Sequence, residues 1–185
     1  MKQTLCAYLQ AQRDAVLWKL DGVAERDQRT PMTPTGTNLL GLVKHLAGLE
    51  AEYFGDCLGH PMPGLPPDIP SEPNADMWAT AEESPEEIVT RYRAATSHAD
   101  ATIASLPLDA PARVPWWDPP DTTLHRLLIH MIAETARHAG HLDILRESLD
   151  GHRGLLEPVP NLPDVDESWW PSYVARLRDI AERTT

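Results

Sequence analysis

Apolar residues recur at three- and four-residue intervals in four long stretches of this chain, and prolines crowd the segments between them. At roughly 100° per residue, Leu5, Leu9, Val16 and Leu20 form one stripe and predict a helix over 2–23. A second helix is expected to start at Thr37-Asn38, residues suited to an N-cap, and to run to about 58. Its inward stripe is Leu39, Leu42, Val43, Leu46, Leu49, Tyr53 and Cys57. A third opens with Ser84-Pro85-Glu86-Glu87, a capping box with proline at the first helical position, and continues to about 106. The fourth and longest covers 123–150 and stops at Gly151; its stripe is Leu124, Leu127, Leu128, Met131, Leu142, Leu145 and Leu149. A shorter helical segment is expected over 169–183. The 18 prolines fall mainly at 31–34, 61–73, 107–120 and 158–163. Nothing in the pattern reads as a sheet. The expected fold is all-α: a four-helix bundle with long loops and a short C-terminal helix, one domain over 1–185.

The fourth stripe is interrupted by chemistry. His138 falls within it, with Glu134 one turn earlier and His141 one turn later on its flank, and His130 further round. Burying an ionised carboxylate costs several kcal/mol unless it is paired or binds a metal, so this face needs a compensating partner. On the second helix, His45 borders the stripe between Leu42 and Leu49. In a bundle such border positions converge, and a first-row metal site would take His45 with Glu134 and His138. Three mixed N and O ligands leave positions open for water and substrate, as catalytic sites do. The plainer reading is a hydrogen-bonded core His45 and a buried pair in which Glu134 meets His138, Arg126 or Arg137. His130 and His141 could replace a ligand, support one from behind, or act as acid and base. Spacing alone does not choose among the four histidines. His60, His98, His125 and His152 are assigned no role.

Composition changes the picture only by exclusion. A hydrophobic content of 42% and charged content of 24% suit an ordinary globular domain. The net charge of −12 argues against a nucleic-acid partner. No apolar run approaches the roughly 18 residues of a membrane span, and Met1-Lys-Gln-Thr-Leu-Cys6 lacks the apolar core of a signal peptide; a cytoplasmic location is expected. Cys6 and Cys57 read as two separate thiols. There is no Gly-x-Gly-x-x-Gly, no Walker-type loop, no His-Glu-x-x-His and no Gly-x-Ser-x-Gly. A di-iron bundle would need more inward carboxylates than the helices offer. The doublets Trp116-Trp117 and Trp169-Trp170 lie in proline-rich segments, either plugging the ends of the bundle or walling a pocket.

Two segments carry a resemblance. Leu39-Leu-Gly-Leu-Val-Lys-His-Leu-Ala-Gly-Leu-Glu50, followed by Tyr53-Phe54, resembles the second helix of DinB-like proteins. Leu128-Ile-His-Met-Ile-Ala-Glu-Thr-Ala-Arg-His-Ala-Gly-His-Leu-Asp-Ile-Leu-Arg-Glu147 resembles the signature helix of the actinobacterial branch of that superfamily, which includes mycothiol-dependent S-transferases and maleylpyruvate isomerase. The resemblance implies a four-helix bundle holding a divalent metal, zinc or nickel, on His45, Glu134 and His138, where many relatives have three histidines. It implies transfer of a low-molecular-weight thiol, mycothiol, to an electrophilic small molecule through a metal-stabilised thiolate. In that scheme His130 or His141 accepts the thiol proton, and Tyr53, Trp116 and Arg137 contact the thiol co-substrate. Dimers are common among such proteins, and an outer helix face could supply the contact. Two other readings compete: a hydrolase that activates water at the same site, and a metal-binding stress-response protein without turnover.

Overall fold

A computed structural model describes residues 1–64, 72–157 and 159–184. It is built from α1 (Lys2–Trp18), α2 (Glu25–Arg29), α3 (Leu39–Phe54), α4 (Pro85–Ser105), β1 (Pro111–Arg113), β2 (Asp121–Thr123), α5 (Leu124–Asp150) and α6 (Trp169–Glu182), with short 3-10 turns at Asp56–Leu58 and Ala75–Met77. The architecture is all-α, with α1, α3, α4 and α5 forming the bundle. No described helix is long and apolar enough to cross a membrane. The connection expected at 61–73 and the linker at 158–163 lie partly outside the described residues.

The helix boundaries follow local chemistry. The Asn38 side chain accepts from the Gly41 amide at 2.8 Å, and Ser84 and Glu87 complete their reciprocal capping box. Gly151 ends α5 in the left-handed region, at φ 78°. Two helices are shorter than their stripes suggest. α1 stops at Trp18, and a turn leads to Gly22 at φ 72°; α3 stops at Phe54 because Gly55 breaks it into the 3-10 turn. α2 was not expected. Its five residues are too few to show periodicity, and an Arg29–Glu25 pair at 2.8 Å links its ends.

The expectation of no sheet is corrected. β1 and β2 pair antiparallel, Ala112 opposite Thr122, and β2 leads directly into α5. Three residues per strand give no readable alternation. The hairpin forms because Ala110, Ala112 and Val114 are drawn into the core beside Leu124 and Leu127.

Two apolar clusters fill the bundle. One gathers Leu9, Tyr53, Phe54, Leu127, Leu128 and Met131; the other gathers Val16, Leu39, Leu42, Leu46, Ala139 and Leu142. Leu149 is only half-buried at the margin of the second. Between their levels lies a polar waist. Arg13, between Leu9 and Val16 on α1, meets Glu50, between Leu46 and Tyr53 on α3, through two bonds of 2.7 and 2.6 Å, and Arg13 also reaches Asp100 on α4 at 2.8 Å. Burial works against the Arg13 charge, but these carboxylates hold its pKa above the usual guanidinium value. Burial pushes the Glu50 carboxyl up, and Arg13 opposes that shift.

The far end of α1 is tied from outside. Lys19 is fully buried, its ammonium donating to the Gly154 carbonyl and pairing with Asp143 at 2.8 Å. Arg146 of α5 donates to the carbonyls of Lys19 and Asp21 at 2.8 and 2.9 Å, satisfying groups the helix end leaves open. In contrast, α6 has no buried residue and leaves Val174, Leu177 and Ile180 exposed.

Candidate metal centre

His45 on α3 and Glu134 and His138 on α5 meet at the edge of this waist. Each offers one ligand atom, and all three atoms lie within 4.8 Å of one another. His138 is buried within the α5 stripe, as its position in the sequence predicts; His45 and Glu134 are half-buried on the borders. Glu134 accepts from His138 Nε2 at 3.0 Å, and His45 Nε2 stands 3.8 Å from the same carboxylate oxygen. The i, i+4 spacing on α5 makes the first contact, and the packing of α3 against α5 makes the second.

The donor set suits a first-row divalent cation. A tetrahedral ion about 2.1 Å from its ligands sets them about 3.4 Å apart. The two separations from Glu134, 3.0 and 3.8 Å, bracket that value, and the two histidine ligand atoms lie within 4.8 Å of each other. Neither arginine considered as a partner for Glu134 fills that place. Arg126 lies over the Trp117 ring at 4.8 Å, and Arg137 is exposed, with no ion pair to Glu134 among the described residues.

The other two histidines separate. His141 is exposed and stands behind His138, Nδ1 to Nδ1 at 3.3 Å, so it supports that ring from the side opposite Glu134. His130, one turn before Glu134, packs instead on Tyr53 and Trp117, with ring centroids at 4.8 and 4.9 Å. Burial holds the His130 pKa below its ordinary value, with Glu134 opposing. His138 is likewise lowered, by burial first and then by the neighbouring His45. Burial raises the Tyr53 hydroxyl, while its contacts with Trp116 and Trp117 work the other way.

From His45 to Tyr53 is eight residues of α3, about 12 Å of helix, and α5 covers the same span in reverse from His138 to His130. The seam therefore has the three-ligand cluster at one level and an aromatic group at the other. At the aromatic end, Trp117, Asp118, Arg126, Ile129 and His130 line an open cleft of about 470 Å³. Trp116 is mostly exposed and touches Tyr53 edge-on. Trp117 is half-buried against the core, so this one ring of the doublet both packs on the bundle end and walls the cleft. The second doublet stands apart at the start of α6, Trp169 stacked on Tyr173 and Trp170 edge-on to it.

Asp76 has no signature in the sequence. It lies in the 3-10 turn before α4, and its carboxylate accepts from His45 Nδ1 at 2.6 Å. A contact across 31 residues, made by a proline-rich loop, leaves no spacing to read. The one available signal was the glycine at 41, where a Cβ would lie 1.8 Å from the Met77 carbonyl oxygen.

The family model described as Mycothiol-S-transferase matches residues 4–151, a span that contains His45, Asp76, Glu134 and His138. No curated protein matches the chain.

Proposed function

Because the chain belongs to the mycothiol-S-transferase family, we propose that it is a metal-dependent enzyme joining a low-molecular-weight thiol, mycothiol, to an electrophilic small molecule. The observation that carries the metal part of this reading is the convergence of the His45, Glu134 and His138 ligand atoms. A divalent ion, zinc or nickel, held there would supply a Lewis acid that keeps a thiol as thiolate near neutral pH.

The chain's own residues do the rest. With one carboxylate, Glu134, beside two imidazoles, the set would neutralise only part of a divalent ion's charge and would leave the rest to act on an entering thiol. His141 steadies the His138 ring. His130 lies one turn from Glu134 but two from His138, at the cleft end of the seam; its lowered pKa leaves it neutral, so it would take the thiol proton through a bridging water. The sulfur then forms its bond to the electrophilic carbon of an epoxide, halide or conjugated alkene, and the displaced electron pair leaves on oxygen, halide or the alkene carbon. Trp117 offers a ring face in the cleft, with the Tyr53 ring packed against it and against Trp116, and Arg126 a cation; Arg137 is available at its exposed position beside the cluster.

The test is metal content by mass spectrometry on untagged protein, followed by turnover of monobromobimane with and without mycothiol. About one zinc or nickel per chain, lost in His138→Ala, together with thiol-dependent turnover, is the expected result. Metal with hydrolysis that ignores thiol would move the reading to a hydrolase. Absence of metal from wild type even after reconstitution would remove the metalloenzyme reading and leave Glu134 and His138 as a polar pair.

A further inference from the structure

The 3-10 turn that carries Asp76 is fastened to the first half of α3 from several sides. Gly41 lets the Met77 carbonyl approach so closely that any side chain at 41 would displace it. Asn38 Nδ2 donates to that same carbonyl at 3.4 Å while its Oδ1 caps the helix. One turn on, Lys44 Nζ donates to the Trp78 carbonyl at 3.0 Å and to Glu83 at 2.8 Å, and Glu83 in turn accepts from the Thr80 amide at 2.9 Å. From α2, Arg29 donates to the Thr80 carbonyl at 2.8 Å. What this anchoring delivers is one carboxylate oxygen, 2.6 Å from His45 Nδ1.

We infer that Asp76 is a positioning residue that locks the tautomer and ring orientation of His45. An ionised carboxylate can only accept, so Nδ1 carries the proton and Nε2 keeps its lone pair. Nε2 is the atom facing Glu134, at 3.8 Å. The contact is short enough to be charge-assisted, and the two side chains remain only partly exposed, at 17% for His45 and 34% for Asp76.

The two histidines of the cluster are consequently unequal. His45 is backed by a carboxylate and His138 by another imidazole. A backing carboxylate raises the basicity of the ligating nitrogen, so His45 is the stronger donor of the pair. Gly41, Asn38 and Lys44 serve the site through the turn, without touching it. The effect on metal affinity rests on the metal reading proposed above; the tautomer does not.

The test separates the two. In full-length protein labelled with ¹⁵N-histidine, stripped of metal and held above the ordinary imidazole pKa, long-range ¹H–¹⁵N correlations report the tautomer of each ring. His45→Gln identifies the His45 signals. Wild type is expected to show His45 as the Nδ1–H form, and Asp76→Ala a mixture of both forms in a chain that keeps its helical circular dichroism and a cooperative melt. Gly41→Ala should reproduce the mixture, and Asp76→Ala on top of it should add little. Competition titration with Co²⁺ should find affinity lowered about 10- to 100-fold in Asp76→Ala, with Asp76→Asn between it and wild type, since an amide oxygen still accepts but carries no charge. A wild-type His45 in the Nε2–H form, or an Asp76→Ala variant that keeps the wild-type tautomer, would overturn the inference. If the tautomer depends on Asp76 while no variant and no wild type binds Co²⁺, the metal reading fails and the positioning role stands.

Discussion

Removing the guanidinium of Arg13 should be among the most destabilising single changes in this chain. Arg13 and Glu50 are 2% and 0% exposed, and their two parallel contacts are 2.7 and 2.6 Å long. Arg13→Met fills much of the same volume but strands a carboxylate between two apolar clusters. Breaking a buried pair in this one-sided way costs about 3–5 kcal/mol, a large part of the roughly 5–15 kcal/mol that holds a typical domain together. With a urea dependence of about 2 kcal/mol/M, the unfolding midpoint should fall by about 2 M. The double variant Arg13→Met/Glu50→Leu should recover most of that loss, because an apolar replacement of the whole pair is close to neutral. Asp100 does not spoil the recovery, since its side chain is 56% exposed and returns to water. The deficit of the single variant should also depend on pH. Without Arg13, burial raises the Glu50 pKa unopposed, the unfolded chain then binds fewer protons than the folded one, and stability falls as pH rises above the ordinary carboxylate pKa. Acidification should therefore narrow the gap to wild type. Urea unfolding of the four proteins of the cycle, at neutral and mildly acid pH, checks this. A single-variant loss below about 1 kcal/mol, or a double variant no better than the single, would refute the reasoning.

Two further outcomes follow from burial at the site and in the core. His130 titrates below its ordinary value when folded, so between that lowered pKa and about 6.5 the unfolded chain binds more protons and stability drops as pH falls. His130→Gln should flatten the acid slope of the metal-free protein, with His138 keeping its own share; an unchanged slope in urea midpoints across that range would contradict the burial of His130. Cys57 is buried and its thiol is pushed up to about 12, whereas Cys6 is partly accessible. A thiol-reactive disulfide reagent at mildly alkaline pH should modify Cys6 in the folded protein and Cys57 only after denaturant is added; equal rates for both would place Cys57 nearer solvent than the packing allows.

The long helices could be read because each repeats its signal over several turns and ends on a recognisable residue: Asn38, Ser84 with Pro85, Gly151. Their true limits at Trp18 and Phe54 are obscured because apolar residues, Leu20 and Cys57, continue the stripe past each end, which hides Gly55 as the stop of α3. The hairpin and α2 are too short to carry a period, and both owe their existence to contacts made far away in sequence. The site divides the same way. Glu134 and His138 share one helix, so their juxtaposition is a matter of periodicity. His45 joins them through helix packing, which border positions could suggest. Asp76 arrives on a loop, and the separation of His141 from His130 depends on what stands behind each ring.

The tie around Lys19 also bears on where this protein ends as a physical object. Likeness to the family stops at residue 151, yet the buried ammonium of Lys19 finds its carbonyl acceptor at Gly154. A chain cut at the boundary of that likeness would keep every ligand of the candidate centre and still leave a cation inside the bundle one acceptor short, a deficit of the kind that costs about 1–3 kcal/mol. The edge of a fold is set by the last bond its interior needs, and here that bond lies past the last residue that the family model matches.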